Sequence, residues 1–271
     1  MDEHANHEIA DHPLWRPFYC HTETVDQLLE RTDEAVRKVR THNCAALVSG
    51  ALHYLRALYT AEVCRGEGLA DFHPDEVAEL AACDSPHTLP TPRRAGYNVY
   101  HAMPAIFDQH TPFTLANILQ LHKAVGEGVV PGPGTFRRSD AAPLGSARMY
   151  KAPPAIASSL AELVDRTNAR LPAASLRAAI CMATHFYSSF LMIHPFRDGN
   201  GRIARLCLSW LLREWCVVPV SLAAGGARSR DILLQCLELG ERWEGAPLQL
   251  ARFVLQSAAE TASNVVYAAD L

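Results

Sequence analysis

Apolar positions three and four residues apart recur along most of the chain, and this spacing predicts a helical protein. Val25, Leu28, Leu29, Val36 and Val39 fall mostly on one face of a helix reaching about Arg40, behind the capping-box pattern Thr24-Val25-Asp26-Gln27. A second helix over roughly 44–63 carries the stripe Leu47, Val48, Ala51, Leu52, Leu55, Leu58 and Tyr59, and Gly66 and Gly68 end it. Pro74 opens a short helix through Val77 and Leu80, and the proline-rich stretch 85–92 connects it to a helix from about Arg94 to Phe107. Thr114 caps the next, with Leu115, Ile118, Leu119 and His122 inside it and Gly126 and Gly128 closing it. Pro153-Pro154 starts another with Ile156, Leu160, Leu163 and Val164. The stretch from Ser175 to Leu191 is apolar nearly all round, which places it at the centre of a bundle. Helices over about 202–215, 229–243 and 247–266 complete the chain.

One region breaks the period. Val129 to Arg138 (V-V-P-G-P-G-T-F-R-R) has no helical spacing, and Thr135 to Tyr150 places turn formers between short β-capable flanks, Thr135-Phe136-Arg137 and Arg148-Met149-Tyr150. A loose β-hairpin is expected there. The fold class is therefore all-α, a helical bundle with one β-hairpin.

Composition narrows the function. The 271 residues are 49% hydrophobic and 20% charged with a net charge of −4, so nucleic acid is not expected as a partner. Eight dispersed cysteines (Cys20, Cys44, Cys64, Cys83, Cys181, Cys207, Cys216, Cys236) form no CxxC pair and read as reduced thiols of a cytoplasmic protein. The start M-D-E-H-A-N-H-E is too polar for a secretory signal. His4, His7 and His12 lie in an irregular first segment that reads as a solvated terminus rather than a metal site. The longest apolar run, 178–193, contains His185 and two serines and reads as a core helix, so no membrane is expected.

The chemistry concentrates in Ile193 to Leu206, I-H-P-F-R-D-G-N-G-R-I-A-R-L. Pro195 expels His194 from the right-handed helical region, so the central helix must stop there and present the imidazole at a loop mouth. Gly199 and Gly201 leave backbone N–H groups unshielded at the positive end of the helix that follows, which is an anion-binding geometry. Arg202 and Arg205 share a face of its first turn, where the helix dipole opposes a cation unless an anion is present. N–H donors and two guanidiniums suit a polyphosphate. Asp198 suits Mg2+, Asn200 can offer its amide to a phosphate oxygen, and His194 can take a proton from a hydroxyl. Each residue alone fits a cap, a turn or a solvated face. Together they point to nucleotidyl or phosphoryl transfer.

The stretch His194 to Arg205, H-P-F-R-D-G-N-G-R-I-A-R, resembles the signature of the Fic family, H-P-F-x-[D/E]-G-N-G-R-x-x-R, at every specified position. L-H-K at 121–123, P-G-T-F-R at 133–137 and P-P-x-I at 153–156 follow the family's order. The resemblance implies a Fic domain over 94–220, an N-terminal helical region over 1–93 and C-terminal helices over 221–271 packed on the same core. It also implies a helical bundle with a hairpin flap over the active site. The implied activity is transfer of AMP from ATP to a Ser, Thr or Tyr hydroxyl of a protein. The implied roles are a general base at His194, Mg2+ on Asp198 and an anion hole at Gly199, Asn200 and Gly201. Arg202 and Arg205 would contact the β and γ phosphates, and Phe196 would anchor the loop. Thr135, Phe136, Arg137 and Tyr150 of the flap would hold the target by strand addition.

The kinase-like Doc branch carries Lys and Ala in this motif, against which Gly199, Gly201 and Arg202 stand; phosphocholine transfer shares the motif. Many relatives also carry an inhibitory helix, [S/T]-x-x-x-E-[G/N], whose Glu pairs with the second arginine. Here Val48-Ser49-Gly50 lacks the Glu, Glu67-Gly68 has Val63 where Ser or Thr belongs, and Ser257 to Glu260 has the wrong spacing. The expectation is that no carboxylate of this chain occupies Arg205, leaving restraint, if any, to an antitoxin-like chain or a homo-oligomer. An AMP-removing hydrolase, which would need that Glu to activate water, ranks below transfer for the same reason. A non-enzymatic interaction module ranks lowest, because the reactive set is intact. Ser209 stands where relatives often carry Asn near the adenine.

Overall fold

The predicted periodicities appear as ten helices among the residues that the computed structural model describes: 9, 23–41, 45–107, 110–142, 149–216, 218–222, 229–242 and 248–268. They are α1 (Val25–Thr41), α2 (Ala45–Gly66), α3 (Pro74–Ala81), α4 (Thr91–Phe107), α5 (Leu115–Gly126), α6 (Pro153–Asn168), α7 (Leu176–Ile193), α8 (Asn200–Leu212), α9 (Ser229–Arg242) and α10 (Leu248–Ala268). The caps fit the sequence. The Thr24 hydroxyl accepts from Gln27 N–H at 3.2 Å while Gln27 Oε1 accepts from Thr24 N–H at 2.8 Å. The Thr114 and Ser175 side chains cap α5 and α7 by accepting from Asn117 and Ala178 N–H, relieving N–H groups that have no partner within the helix. The polar first segment up to residue 22, apart from Ile9, and the side chains of Leu47, Val48, Ala51 and Leu52 lie outside the described set.

The apolar α7 takes the central place its composition predicts. It packs against α6 on one side and α8 on another, and touches α1 and α10. Phe186, Phe190, Phe196 and Ile203 are fully buried where α7 hands over to α8. Truncating a phenylalanine in such a core costs about 3–5 kcal/mol, so the handover is held by packing. By length and composition α7 could cross a membrane, but most of it is buried within the bundle, as in a core helix. A single apolar cluster joins α1 and α2, the middle helices and α10. Cys64, Cys181, Cys207, Cys216 and Cys236 are buried free thiols, and Cys83 is a half-buried one.

The hairpin expectation is not met among the described residues, which contain no strand. The arms of the 135–150 segment approach each other through a backbone bond from Tyr150 N–H to the Ala141 carbonyl at 2.9 Å. Residues 143–148, with the turn formers Pro143 and Gly145, lie outside the described set. Side-chain contacts to the loop that follows α7, described below, hold these arms.

Candidate active site

α7 ends at Ile193 because Pro195 cannot follow a right-handed helical residue. His194 leaves that region as expected, but for the left-handed one, at φ 49° and ψ 60°. This conformation costs a non-glycine residue roughly 1–2 kcal/mol, so neighbouring contacts must hold it. His194 N–H donates to the Phe190 carbonyl at 2.9 Å. Its ring lies flat on Tyr150, with centroids 3.9 Å apart and planes 6° from parallel. Its carbonyl accepts from Arg137 Nε at 2.7 Å. Nδ1 is buried, and an interaction with the Leu191 backbone favours the charged ring against that burial.

The loop then closes on itself. Phe196 N–H donates to Asn200 Oδ1 at 3.0 Å, and Asn200 Nδ2 donates to the Phe196 carbonyl at 2.8 Å. The Asn200 side chain is thus engaged by the loop's own backbone through its Oδ1 and one N–H, which leaves the second amide N–H and the main-chain N–H as what it can offer an anion. Asp198 Oδ1 accepts from Gly199 N–H at 2.6 Å and lies 3.5 Å from Arg202 Nη2. Its side chain remains 59% exposed, the only one of the expected phosphate-site groups turned so far outward. Gly199 is at φ +80°, and a Cβ there would lie 3.4 Å from Arg202 Nη2 and 3.5 Å from His122 Nε2. The positive φ is what favours glycine here, since a Cβ would meet those two atoms only at ordinary contact distance.

Arg202 is 1% exposed, and its Nε and Nη1 have no hydrogen-bond partner among the described residues. A buried guanidinium with idle donors beside a helix N-terminus is an incomplete arrangement that an anion would complete. Arg205, one turn on, is different. Its Nη1 forms an ion pair with Glu67 Oε1, and this overturns the expectation that no carboxylate of the chain reaches it. Burial opposes the Arg205 charge, but Tyr187, Glu67 and Tyr59 more than offset that and raise its pKa. The missing Ser or Thr at position 63 does not matter, because Val63 is buried in the main core and anchors α2 by packing instead. What places Glu67 is the helix end. α2 stops at Gly66, against which the Arg205 guanidinium packs, and Gly68 turns the chain at φ +69°. The Glu67 carboxylate then also covers Gly201, at the N-terminus of α8.

The expected flap residues divide. Thr135 is exposed, its hydroxyl donating to the Gly132 carbonyl at 2.7 Å. Phe136 turns inward and stacks toward Phe196 with centroids 6.1 Å apart. Arg137 is 5% exposed, so it is not offered to a target as expected. It donates to four backbone carbonyls: His194 at 2.7 Å, Ser139 at 2.7 Å, Ile193 at 3.4 Å, and Lys151. One cation thus ties both arms of the segment to the end of α7. Arg137→Met should destabilise the fold by at least about 3 kcal/mol, since bonds to a charged donor are worth roughly 1.5–3 kcal/mol each and the carbonyls lose their partner. Chemical denaturation would read this as a lowered midpoint with an unchanged slope.

His122 on α5 is a site residue that motif reading placed in the family's order without a role. It is 1% exposed and stacks on Phe196 with centroids 3.6 Å apart and planes 4° from parallel. Burial lowers the pKa of both His122 and His194 to about 4, against bonding to the Asp198 carbonyl in the first and the Leu191 carbonyl in the second. Both are therefore neutral at pH 7, and His194 is ready to accept a proton. The sign for stability follows. The unfolded chain takes up protons below about 6.5 that the folded chain refuses until about 4, so stability present above 6.5 is lost as pH falls through that window. Glu62, raised to about 7 mainly by burial, acts in the opposite sense. Comparison with His122→Gln isolates one histidine: its thermal midpoint should fall less steeply between pH 6.5 and 4 than that of the parent.

Ser209 is buried, accepts from Val220 N–H at 3.2 Å and sits 3.4 Å from the Tyr59 hydroxyl, so it closes the far end of α8. Among the described residues no cluster of three or more His, Cys, Asp or Glu could hold a metal by itself. Asp198 thus stands as a single carboxylate, the number that suits Mg2+ when phosphate oxygens supply other ligands.

The chain is similar in sequence and in fold to known proteins. The Fic/DOC family matches residues 112–212. A Fido domain-containing protein of Dictyostelium discoideum is 26% identical over 118 residues, covering 43% of this chain and 78% of that protein. A Fic domain-containing signaling protein from Bacteroides thetaiotaomicron superposes with a TM-score of 0.74 at 15% identity, over 91% of this chain and 97% of that one. A Fic family protein from Desulfovibrio desulfuricans does so with a TM-score of 0.69 at 18% identity, over 93% of this chain and 77% of that one.

Proposed function

This chain is a Fic/DOC family protein, of a family that transfers nucleotide or other groups onto proteins, and from that premise we propose that it moves AMP from ATP to a hydroxyl side chain of a protein target, held in check by its own Glu67. The observation that carries the reading is the pairing of a neutral His194 with the N-terminus of α8, where Arg202 keeps two buried donors idle. His194 Nε2 takes the proton of the target hydroxyl, and the oxygen bonds to the α phosphorus. The bond from that phosphorus to the bridging oxygen of the β phosphate breaks, and pyrophosphate leaves. Main-chain N–H groups of Asn200 and Gly201 face the charge that develops, and Arg202 Nε and Nη1 find their acceptors on the β phosphate. Asp198 would hold Mg2+, which neutralises phosphate charge when bound. Arg205 serves the γ phosphate once Glu67 withdraws.

Glu67 also favours a second reading, removal of AMP by water, since a carboxylate beside the nest can orient that water. The proposed test incubates the full chain and its Glu67→Gly variant with Mg2+ and α-labelled or γ-labelled ATP. Label from the α position on protein, stronger in the variant and absent with His194→Ala, is expected. Label from the γ position would point to a kinase. AMP release from a labelled protein that is lost in Glu67→Gly would favour the hydrolase.

A further inference from the structure

We propose that His122 is a positioning residue for the transfer reaction: by bonding the Asp198 carbonyl, it fixes the peptide that orients the anion nest at the start of α8. The inference deepens the nucleotide-transfer reading and rests on it.

The bonding pattern determines the state of the ring. Gly134 N–H donates to His122 Nδ1 at 2.8 Å, so Nδ1 must be the unprotonated nitrogen. Nε2 therefore carries the hydrogen and donates to the Asp198 carbonyl at 3.1 Å. The donor Gly134 belongs to a turn built on two glycines at positive φ, Gly132 at +66° and Gly134 at +78°. That turn leads directly into Phe136 and Arg137, which grip the loop from the His194 side. The ring itself is wedged flat on Phe196. His122 thus joins α5, the turn before the flap and the catalytic loop through three different contacts.

The peptide it holds is the one that matters for anion binding. The peptide unit joining Asp198 to Gly199 has its carbonyl on His122 Nε2 and its N–H on Asp198 Oδ1. Gly199 is free to adopt other backbone angles, so nothing in its own chemistry prevents this unit from rotating. Rotated, it would turn a carbonyl dipole toward the place where phosphate should lie and would swing the Asp198 carboxylate away. His122 blocks that rotation. It touches neither phosphate nor target, so its effect passes through the Asp198–Gly199 peptide, and displacements of about 1 Å in such geometry cost on the order of 100-fold in rate.

The test uses the full-length Glu67→Gly chain as parent, with His122→Phe and His122→Gln added. Phenylalanine keeps the stack on Phe196 and removes both hydrogen bonds; glutamine can return an N–H to the Asp198 carbonyl. Calorimetric titration with Mg·ATP should show affinity falling by about tenfold or more in His122→Phe and returning to within a few-fold of the parent in His122→Gln, the range typical of residues that orient a site without touching its ligand. Without any ligand, amide exchange over 196–203 should rise in His122→Phe while α1 and α10 keep their protection. Parent-like affinity and exchange in His122→Phe would overturn the proposal, as would a His122→Gln variant no better than His122→Phe. If Mg·ATP binds none of the proteins, the nucleotide reading fails, and the exchange comparison decides His122 alone: local deprotection reversed by glutamine supports it, and unchanged exchange overturns it.

Discussion

Replacing Glu67 by glycine should raise AMP transfer by about 10- to 100-fold. The estimate comes from the bond that is lost. A hydrogen bond to a charged group is worth about 1.5–3 kcal/mol, and about 1.4 kcal/mol is a factor of ten. In the resting chain that bond ties Arg205 to Glu67, whose carboxylate also covers Gly201 at the head of α8. A γ phosphate must displace it from both places. The variant should pay in stability, because Arg205, with a side chain 9% exposed, loses its counter-charge. Its thermal midpoint should therefore drop without ligand, and Mg·ATP should raise it more than it raises that of the parent, since the nucleotide restores the missing anion. Glu67→Gln, which keeps an acceptor near Arg205 without the charge, should fall between the two in both measurements. Equal transfer rates and equal Mg·ATP affinity in parent and glycine variant would show that the Glu67 to Arg205 pair is only structural.

Glu67 is not legible from the inhibitory-helix pattern, which has a hydroxyl four residues before the glutamate where this chain has Val63. The structure uses a different local solution to the same problem: an apolar anchor in the core, a helix end at Gly66 and a left-handed turn at Gly68. Helix periodicity, by contrast, was fully legible, since the stripes of α1, α5, α6 and α7 reflect burial against neighbours that any fold of this sequence must provide. The break in helix at His194 was legible from Pro195, but its hand was not, because the left-handed state depends on Tyr150 and Arg137 from a distant segment. The flap shows the same limit. β propensity in Thr135-Phe136-Arg137 suggested outward strand pairing, whereas Phe136 and Arg137 are drawn inward by Phe196 and by carbonyls left exposed where α7 stops. Propensity is local, and these outcomes were decided by partners more than forty residues away.

The largest loss is expected at His194. Removing a positioned general base costs about 100- to 10,000-fold, so His194→Ala should lower the transfer rate by roughly three orders of magnitude. Mg·ATP affinity should stay within a few-fold of the parent, because the groups assigned to the phosphates are the α8 N-terminus, Arg202, Arg205 and Asp198. Asp198→Asn should instead weaken Mg·ATP binding along with rate. His194→Gly provides the sharper control on fold. Glycine adopts φ near 49° without the roughly 1 kcal/mol penalty that a side chain carries in the left-handed region. That gain offsets the lost stack on Tyr150, a ring pair of the kind worth about 0.5–1.5 kcal/mol. The glycine variant should therefore melt close to the parent while being as inactive as the alanine variant. Retention of more than a tenth of parental transfer by either variant would remove His194 from the chemistry and leave its imidazole as packing under Tyr150. Loss of Mg·ATP binding in both would mean that the left-handed residue shapes the nest itself, with proton transfer assigned elsewhere.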